Sequence, residues 1–178
     1  MIHYQVGLGL HILFVGVNPS PGSYKRGIPF SSNKMFWYLL HDAGLVDEPR
    51  SVLQDDVQLK KIYMDHLKKK YKFGFVNMVD RPTQKASEVK RDEATPGRER
   101  LYSFIKQYRP LVVCFVGKIT YSLFIESTEF NFGWQPDIFS SKIYVMRSPN
   151  HGLASVRIQD LENISKALKE SRRLKNSN

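Results

Sequence analysis

The first side chain with a setting that suggests chemistry is Asn18. It directly follows an unbroken apolar run from Ile12 to Val17, and a short run of this kind indicates a buried parallel strand. In open α/β sheets, ligands bind beyond the carboxyl ends of such strands. The loop that starts here contains Pro19 and Pro21 and closes at Phe30, which brings an aromatic ring to the same edge. A carboxamide and an aromatic face on a rigid loop suit a planar, hydrogen-bonding ligand such as a nucleobase.

Other reactive patterns are missing from the sequence. The five histidines and the single cysteine, Cys114, show no spacing typical of a metal site, and the apolar run around Cys114 predicts a buried, inert thiol. No serine stands in a nucleophile elbow. Gly7 and Gly9 precede the first strand instead of following it, so they do not form a dinucleotide-binding fingerprint. We therefore expect neither a metal nor a cofactor.

The charge of the chain favours a polyanionic partner. Lys and Arg number 27 against 17 Asp and Glu, which gives a net charge of +10 and points to nucleic acid before membrane. A solvated basic surface is the alternative. No apolar run approaches the roughly 20 residues of a membrane span, and the amino terminus lacks the pattern of a secretory signal. We expect no membrane association and an intracellular location, in the nucleus of a eukaryote or the nucleoid-containing cytoplasm of a prokaryote.

Four short apolar runs predict the strands of one parallel sheet: residues 12–17, 73–79, 111–116 and 143–146. Helical periodicity between them predicts a three-layer α/β/α sandwich with a central four-stranded parallel sheet. Residues 126–141 show no clear period and are expected to be irregular. We expect a single domain over residues 1–178, with a core from about 10 to 169 and a charged, frayed tail over 170–178.

Three local signals predict where helices begin and which sides they bury. Pro21 and its neighbours argue against a helix directly after the first strand. The pair Thr95-Pro96 predicts a helix start, with a cap followed by proline at the first position. A helix from about Leu53 is expected to bury Val57 and Met64 on one side.

Four segments at or beside the predicted strand ends resemble one known family. They are, in chain order, GVNPSPGSYKRGIPF (16–30, followed by Phe36-Trp37), VDRPTQKASEV (79–89), VGKITY (116–121) and SPNHGLAS (148–155). Together they resemble the mismatch-specific uracil/thymine-DNA glycosylases of the uracil-DNA glycosylase superfamily, over about residues 10–169. The resemblance implies a four-stranded parallel sheet between helices and, as partner, double-stranded DNA that contains uracil or a mismatched pyrimidine. We expect a monomer.

The resemblance also implies roles for individual residues. Asn18 matches the catalytic asparagine, which positions a water molecule for attack on the sugar carbon that bears the base. The residues implied to contact the base are Gly16, Val17, Pro19, Ser20, Phe30, Ser148 and Asn150. Those implied to contact DNA are Lys118, His151, Gly152, Leu153, Ala154 and Ser155. An apolar wedge such as Leu153 on a polar loop would replace the stacking that is lost when a base is extruded.

Several of these positions depart from the family or carry alternatives. Ser20 stands where the uracil-specific relatives have a tyrosine that excludes a pyrimidine methyl group, so we expect a wider pocket. Ser148 is a weak donor for the leaving base, and Asn150 or His151 could substitute for it. For His151, a phosphate-facing or solvated side chain is favoured over a catalytic one. For Asp80, a role as a cap or as a partner of Arg81 is favoured over a role as a catalytic acid.

The resemblance implies a monofunctional DNA glycosylase that hydrolyses the N-glycosidic bond of uracil, and of thymine or bulky adducts opposite guanine, and leaves an abasic site. No lysine occupies position 18 to form a Schiff base. One alternative is a non-catalytic protein that binds mismatched or damaged DNA. Another is a small-nucleotide hydrolase that uses the first loop for phosphate.

Overall fold

A computed structural model describes residues 1–176 of the chain. Five strands form one sheet in the order β2-β1-β3-β5-β4. They are β1 (Ile12–Gly16), β2 (Phe73–Asn77), β3 (Val112–Val116), β4 (Gly133–Ile138) and β5 (Ser141–Met146). The four predicted strands correspond to β1, β2, β3 and β5, and their mutual pairings are parallel.

The prediction of four strands is wrong in number, because β4 pairs antiparallel with β5 inside the segment expected to be irregular. Its sequence, GWQPDI, has no apolar run, and its residues are mostly exposed or half-buried. The register shifts between Gln135 and Ile138, around Pro136, and proline is tolerated in sheets mainly on edge strands. Backbone pairing to β5, and not a hydrophobic pattern, therefore makes this strand.

Seven α-helices lie within residues 1–176. They are α1 (Pro21–Arg26), α2 (Met35–Asp42), α3 (Arg50–Gln54), α4 (Asp56–Lys61), α5 (Arg91–Tyr108), α6 (Lys118–Ile125) and α7 (Ala154–Asn176). Alternate residues of β1 point to opposite faces of the sheet: Ile12 and Phe14 pack with α2, α3, α4 and α7, whereas Leu13 and Val15 pack with α5 and α6. The two apolar cores confirm the three-layer arrangement.

Three of the local helix predictions are wrong. Helix α1 begins at Pro21. Proline is tolerated there because an N–H at the first helical position has no acceptor within the helix. Helix α5 begins at Arg91 and contains Pro96. Its first turn carries the acidic residues Asp92 and Glu93, which favour a helix start there. Val57 is 76% exposed and Met64 is 39% exposed. Asp55 is extended and caps α4, which restarts the helical phase and turns Val57 outward. Met64 lies in the π-helical turn that follows, Ile62–His66, where the phase shifts again.

The charged segment predicted as a frayed tail is helical as far as the structure describes it. Helix α7 continues through Asn176, and residues 177 and 178 of the predicted tail lie outside the described residues. None of the helices in residues 1–176 is both long and apolar enough to cross a membrane.

Candidate functional site

The candidate site lies where the carboxyl ends of the parallel strands meet. Asn18 lies just beyond β1, and Asn77 ends β2 directly opposite Gly16 in the sheet register. A cavity of about 350 Å³ opens beside them. Its polar lining comes from Asn18, Ser20, Ser23, Ser32, Asn33, Asn77, Gln84 and Asn150, and its apolar lining from Ile2, Pro19, Pro29, Phe30, Phe36, Phe75 and Pro149.

The Asn18 carboxamide is held in one orientation by the loop after β2. Its Nδ2 donates to the Arg81 carbonyl oxygen at 2.8 Å and to the Thr83 hydroxyl oxygen at 2.8 Å. The Thr83 hydroxyl in turn donates to the Lys85 carbonyl at 2.7 Å, so it can only accept from Asn18. Both amide hydrogens are therefore engaged, and the Asn18 Oδ1 remains as a hydrogen-bond acceptor.

The loop that orients Asn18 is itself tied to α5. Arg81 donates from Nε and Nη2 to the two carboxylate oxygens of Glu93, at 2.6 and 2.9 Å. The guanidinium lowers the pKa of Glu93, and the carboxylate raises the pKa of Arg81. The predicted pairing of Asp80 with Arg81 is wrong: Asp80 accepts from the Tyr4 hydroxyl and lies 3.7 Å from Arg100 Nη1. The Glu93 carboxylate accepts two parallel hydrogen bonds from the Arg81 guanidinium, and this bidentate geometry explains why Arg81 pairs with Glu93 and not with Asp80.

Phe30 forms an aromatic wall of the cavity. Its ring lies 4.4 Å from the Phe36 ring and 5.2 Å from the Phe75 ring, measured between centroids, and the residue is half-buried. A Cβ added to Gly16 would come within 3.2 Å of Phe30 Cζ and 2.5 Å of Asn77 Oδ1. The glycine is therefore needed where the ring and the Asn77 carboxamide close over the end of β1.

Asn77 is a functional candidate that the sequence interpretation missed. It is only 3% exposed and lines the cavity. Its backbone oxygen accepts from Arg100 at 2.9 Å, but its carboxamide makes no hydrogen bond to another described residue. The Asn77 carboxamide is therefore available to a ligand in the cavity that has matching donors and acceptors. The available signal was a polar residue at the end of an apolar strand.

Ser20 has a structural role as well as a place in the cavity wall. Its hydroxyl caps α1 by accepting from the Ser23 N–H at 3.3 Å. It also shares a hydrogen bond with the Ser32 hydroxyl. A substitution here therefore alters both the cavity and the helix cap.

Residues 148–153, called here the 148–153 loop, border the other side of the cavity. Asn150 is exposed and lines it, together with Pro149. Leu153 is 72% exposed. Beneath the loop lies Arg157, 8% exposed, which donates to the carbonyl oxygens of Pro149 and Leu153. One buried guanidinium thus holds the backbone at both ends of the loop, while the Leu153 side chain stays in solvent.

An adjacent cleft of about 690 Å³ gathers most of the other predicted residues. Val17, Lys118, Ser148, His151 and Gly152 line it. The Val17 carbonyl is already engaged by the Val79 N–H at 2.8 Å, and Ser148 Oγ is hydrogen-bonded to His151 Nδ1 at 3.3 Å. Ser148, Asn150 and His151 are the three candidate donors to the leaving base. Of these, only Asn150 also lines the Asn18 cavity.

This cleft carries the positive charge of Arg147 as well as that of Lys118, the only one of the two that the sequence predicted to contact DNA. Lys118 Nζ and the Arg147 guanidinium lie 5.8 and 4.8 Å from the centroid of the Phe132 ring. All three residues line the cleft. Ala154 is exposed at the start of α7, and Ser155 lines a separate cavity beside Arg147.

Within the part of the chain that the structure describes, no three His, Cys, Asp or Glu side chains come close enough together to hold a metal ion. The polar side chains that line the Asn18 cavity are amides and hydroxyls. They suit a neutral, planar ligand and a water molecule.

The family model for the uracil DNA glycosylase superfamily matches residues 4–170, nearly the whole chain. The matched region contains every residue that lines the cavity except Ile2, and it contains the adjacent cleft and the 148–153 loop.

Proposed function

Since this chain belongs to the uracil DNA glycosylase superfamily, whose members are DNA glycosylases, we propose that it acts as its mismatch-specific branch does. It extrudes uracil, or a mismatched or damaged pyrimidine opposite guanine, from duplex DNA and hydrolyses the N-glycosidic bond. The observation that carries the proposal is that Asn18, Asn77 and the Phe30 ring line one cavity. This cavity offers an aromatic face and an amide to a base and an amide oxygen to a water molecule.

The fixed orientation of Asn18 supports a role in positioning water. Because its Nδ2 is committed to Arg81 and Thr83, its Oδ1 accepts a hydrogen bond from the attacking water and aims that water at the sugar carbon. The amide is neutral and is a poor proton acceptor. Its contribution is therefore orientation, which alone can lower a barrier substantially.

The neutral site places a demand on the leaving base. Bond cleavage builds positive charge on the sugar and negative charge on the departing base, and a carboxylate would stabilise the former. None of the residues that line the cavity is a carboxylate or a lysine. We infer slow chemistry that favours acidic leaving groups, and hydrolysis without a Schiff base.

Reaction of the protein with uracil DNA in the presence of borohydride should therefore trap no covalent complex.

The cleft beside the cavity supports DNA as the partner. Lys118 and Arg147 line the cleft and lie over the Phe132 ring, and the chain carries a net charge of +10. Phosphate contacts of this kind make affinity for DNA fall steeply with salt. Leu153, exposed on the loop that Arg157 supports from beneath, is the wedge that takes the place of the extruded base.

Leu153→Ala should slow uracil release from duplex DNA by about tenfold, because the empty stack is no longer filled. Release from single-stranded DNA should change by less than about twofold, since no partner strand has to be opened. Single-turnover rates on the two substrates measure the difference. Equal losses on both would contradict a wedge role.

Ser20→Tyr should lower release of thymine, or of pyrimidines with bulky 5-substituents, by at least about tenfold while uracil is affected by about threefold or less. The added ring occupies the cavity wall beside Ser32. Ser20→Ala is the matched control, because it removes the cap on α1 without adding bulk, at a cost of about 1 kcal/mol. If Ser20→Tyr kept full activity on a bulky adduct, exclusion by size would be the wrong account.

The experiment that tests the function is direct. The protein is incubated with duplexes that carry uracil, thymine or a bulky adduct opposite guanine, and alkali then reveals abasic sites as strand breaks. Uracil release that is abolished by Asn18→Ala supports the proposal. Tight, salt-dependent binding without release would instead support a non-catalytic DNA-binding protein.

A further inference from the structure

A side-chain hydrogen bond joins the two loops that border the Asn18 cavity. Asn33 Nδ2 donates to Asn150 Oδ1 at 2.9 Å, across 117 positions of sequence. Both residues line the cavity.

The orientation of the Asn33 amide is dictated by the backbone. Its Oδ1 accepts from the Met35 N–H at 3.1 Å, at the start of α2. An N–H can only donate, so the oxygen of Asn33 must face Met35 and its NH₂ must face Asn150. The Asn150 oxygen is therefore engaged, and the NH₂ of Asn150 is left as a donor with no protein acceptor in the described residues.

We propose that Asn33 is a positioning residue, which fixes Asn150 with its NH₂ as a hydrogen-bond donor to the oxygen of the departing pyrimidine. This inference rests on the proposed glycosylase function. Negative charge develops on that oxygen as the glycosidic bond breaks, so a preorganised donor stabilises the transition state more than the ground state. The opposite orientation of Asn150 would present an oxygen there and repel the base.

The neighbouring donors are less suited to this task. Ser148 and His151 are hydrogen-bonded to each other and line the adjacent cleft, not the Asn18 cavity. Arg157 is buried beneath the loop, where it serves the Pro149 and Leu153 carbonyls.

Two variants of Asn33 separate orientation from simple structural support. Asn33→Ala removes both bonds and leaves Asn150 free to rotate. Asn33→Asp keeps the acceptor for the Met35 N–H but replaces the donor with a carboxylate oxygen. That oxygen attracts the Asn150 NH₂ and turns the Asn150 oxygen toward the cavity. If Asn33 orients Asn150, Asn33→Asp should be the slower variant. If Asn33 only supports the local structure, Asn33→Asp should be the faster one, since aspartate preserves the hydrogen bond from the Met35 N–H.

Single-turnover release at saturating enzyme should fall about 10-fold in Asn33→Ala and about 100-fold in Asn33→Asp on uracil DNA. On DNA that carries 5-fluorouracil, a more acidic leaving group, the losses should shrink to about 3-fold and 10-fold. In an Asn150→Ala background, substitution of Asn33 should have little further effect, because the residue it acts through is gone. Gln107→Glu, an exposed position in the last turn of α5, adds the same charge at the opposite edge of the sheet and should leave the rate unchanged.

The outcomes distinguish the two proposals. If the wild-type protein releases no base from any of the substrates, the proposed function and this inference both fail. If the wild-type protein is active but Asn33→Asp releases uracil as fast as Asn33→Ala does, this inference alone is overturned. The same holds if the rate of release in both variants falls by the same factor on 5-fluorouracil DNA as on uracil DNA.

Discussion

Asn18→Ala should lower the single-turnover rate of uracil release by about a thousandfold while duplex affinity changes by less than about twofold. The variant removes the oxygen that aims the water and leaves the cationic cleft and the wedge intact. Rates are measured by alkaline cleavage of abasic sites, and affinity is measured by fluorescence anisotropy with the same uracil-containing duplex.

The control for this variant is Gln107→Ala, an amide truncation on α5 at the far edge of the sheet, which should behave as wild type. The loss in Asn18→Ala should also persist with 5-fluorouracil, because even an acidic leaving group needs an oriented nucleophile. Full activity in Asn18→Ala would remove the basis of the proposed function. Loss of DNA binding in parallel with activity would assign Asn18 to affinity and not to the chemical step.

Gly97→Ala should lower the free energy of unfolding by about 3 kcal/mol and the melting temperature by about 6–12 °C. Gly97 is buried in α5, and a Cβ there would overlap the Met78 carbonyl oxygen, which is backbone and has no rotamer to change. Helix α5 would have to move away from the loop that carries Arg81 and Thr83. Base release should fall as well, since these residues orient Asn18. Thermal denaturation followed by circular dichroism measures the stability.

Gly44→Ala is the matched control for the stability of Gly97→Ala. A Cβ at Gly44 meets no atom within 4 Å, but its φ of +67° disfavours alanine, so a loss of about 1 kcal/mol is expected. The difference between the two variants isolates the steric overlap. If Gly97→Ala were as stable as wild type, close packing of α5 against the end of β2 would be refuted.

The parallel part of the sheet could be predicted because its strands are buried on both faces. The apolar runs that became β1, β2, β3 and β5 carry that burial in their composition, and each ends at polar or turn-forming residues. The edge strand β4 could not be predicted in this way. It is held by pairing to β5, while its side chains are largely in solvent.

Some residues of the candidate site could be predicted from the sequence and others could not. Asn18 and Phe30 could be assigned to one edge because both lie on the loop that follows a single buried strand, and the structure does bring them to one cavity. Asn77 carried a weaker signal, since its importance depends on Gly16 lying opposite it in the register.

The sequence by itself determined the layers of the fold, the edge of the sheet at which polar loops gather, and the basic character of the surface. Apolar periodicity and charge are local properties, which the order of residues along the chain records directly. Only the tertiary structure decided that Thr83 orients Asn18, that Arg81 pairs with Glu93 and that Asn33 orients Asn150. Hydrogen bonds across 65 and 117 positions of the chain depend on the paths of separate loops over the sheet, and no local pattern encodes where two such paths meet.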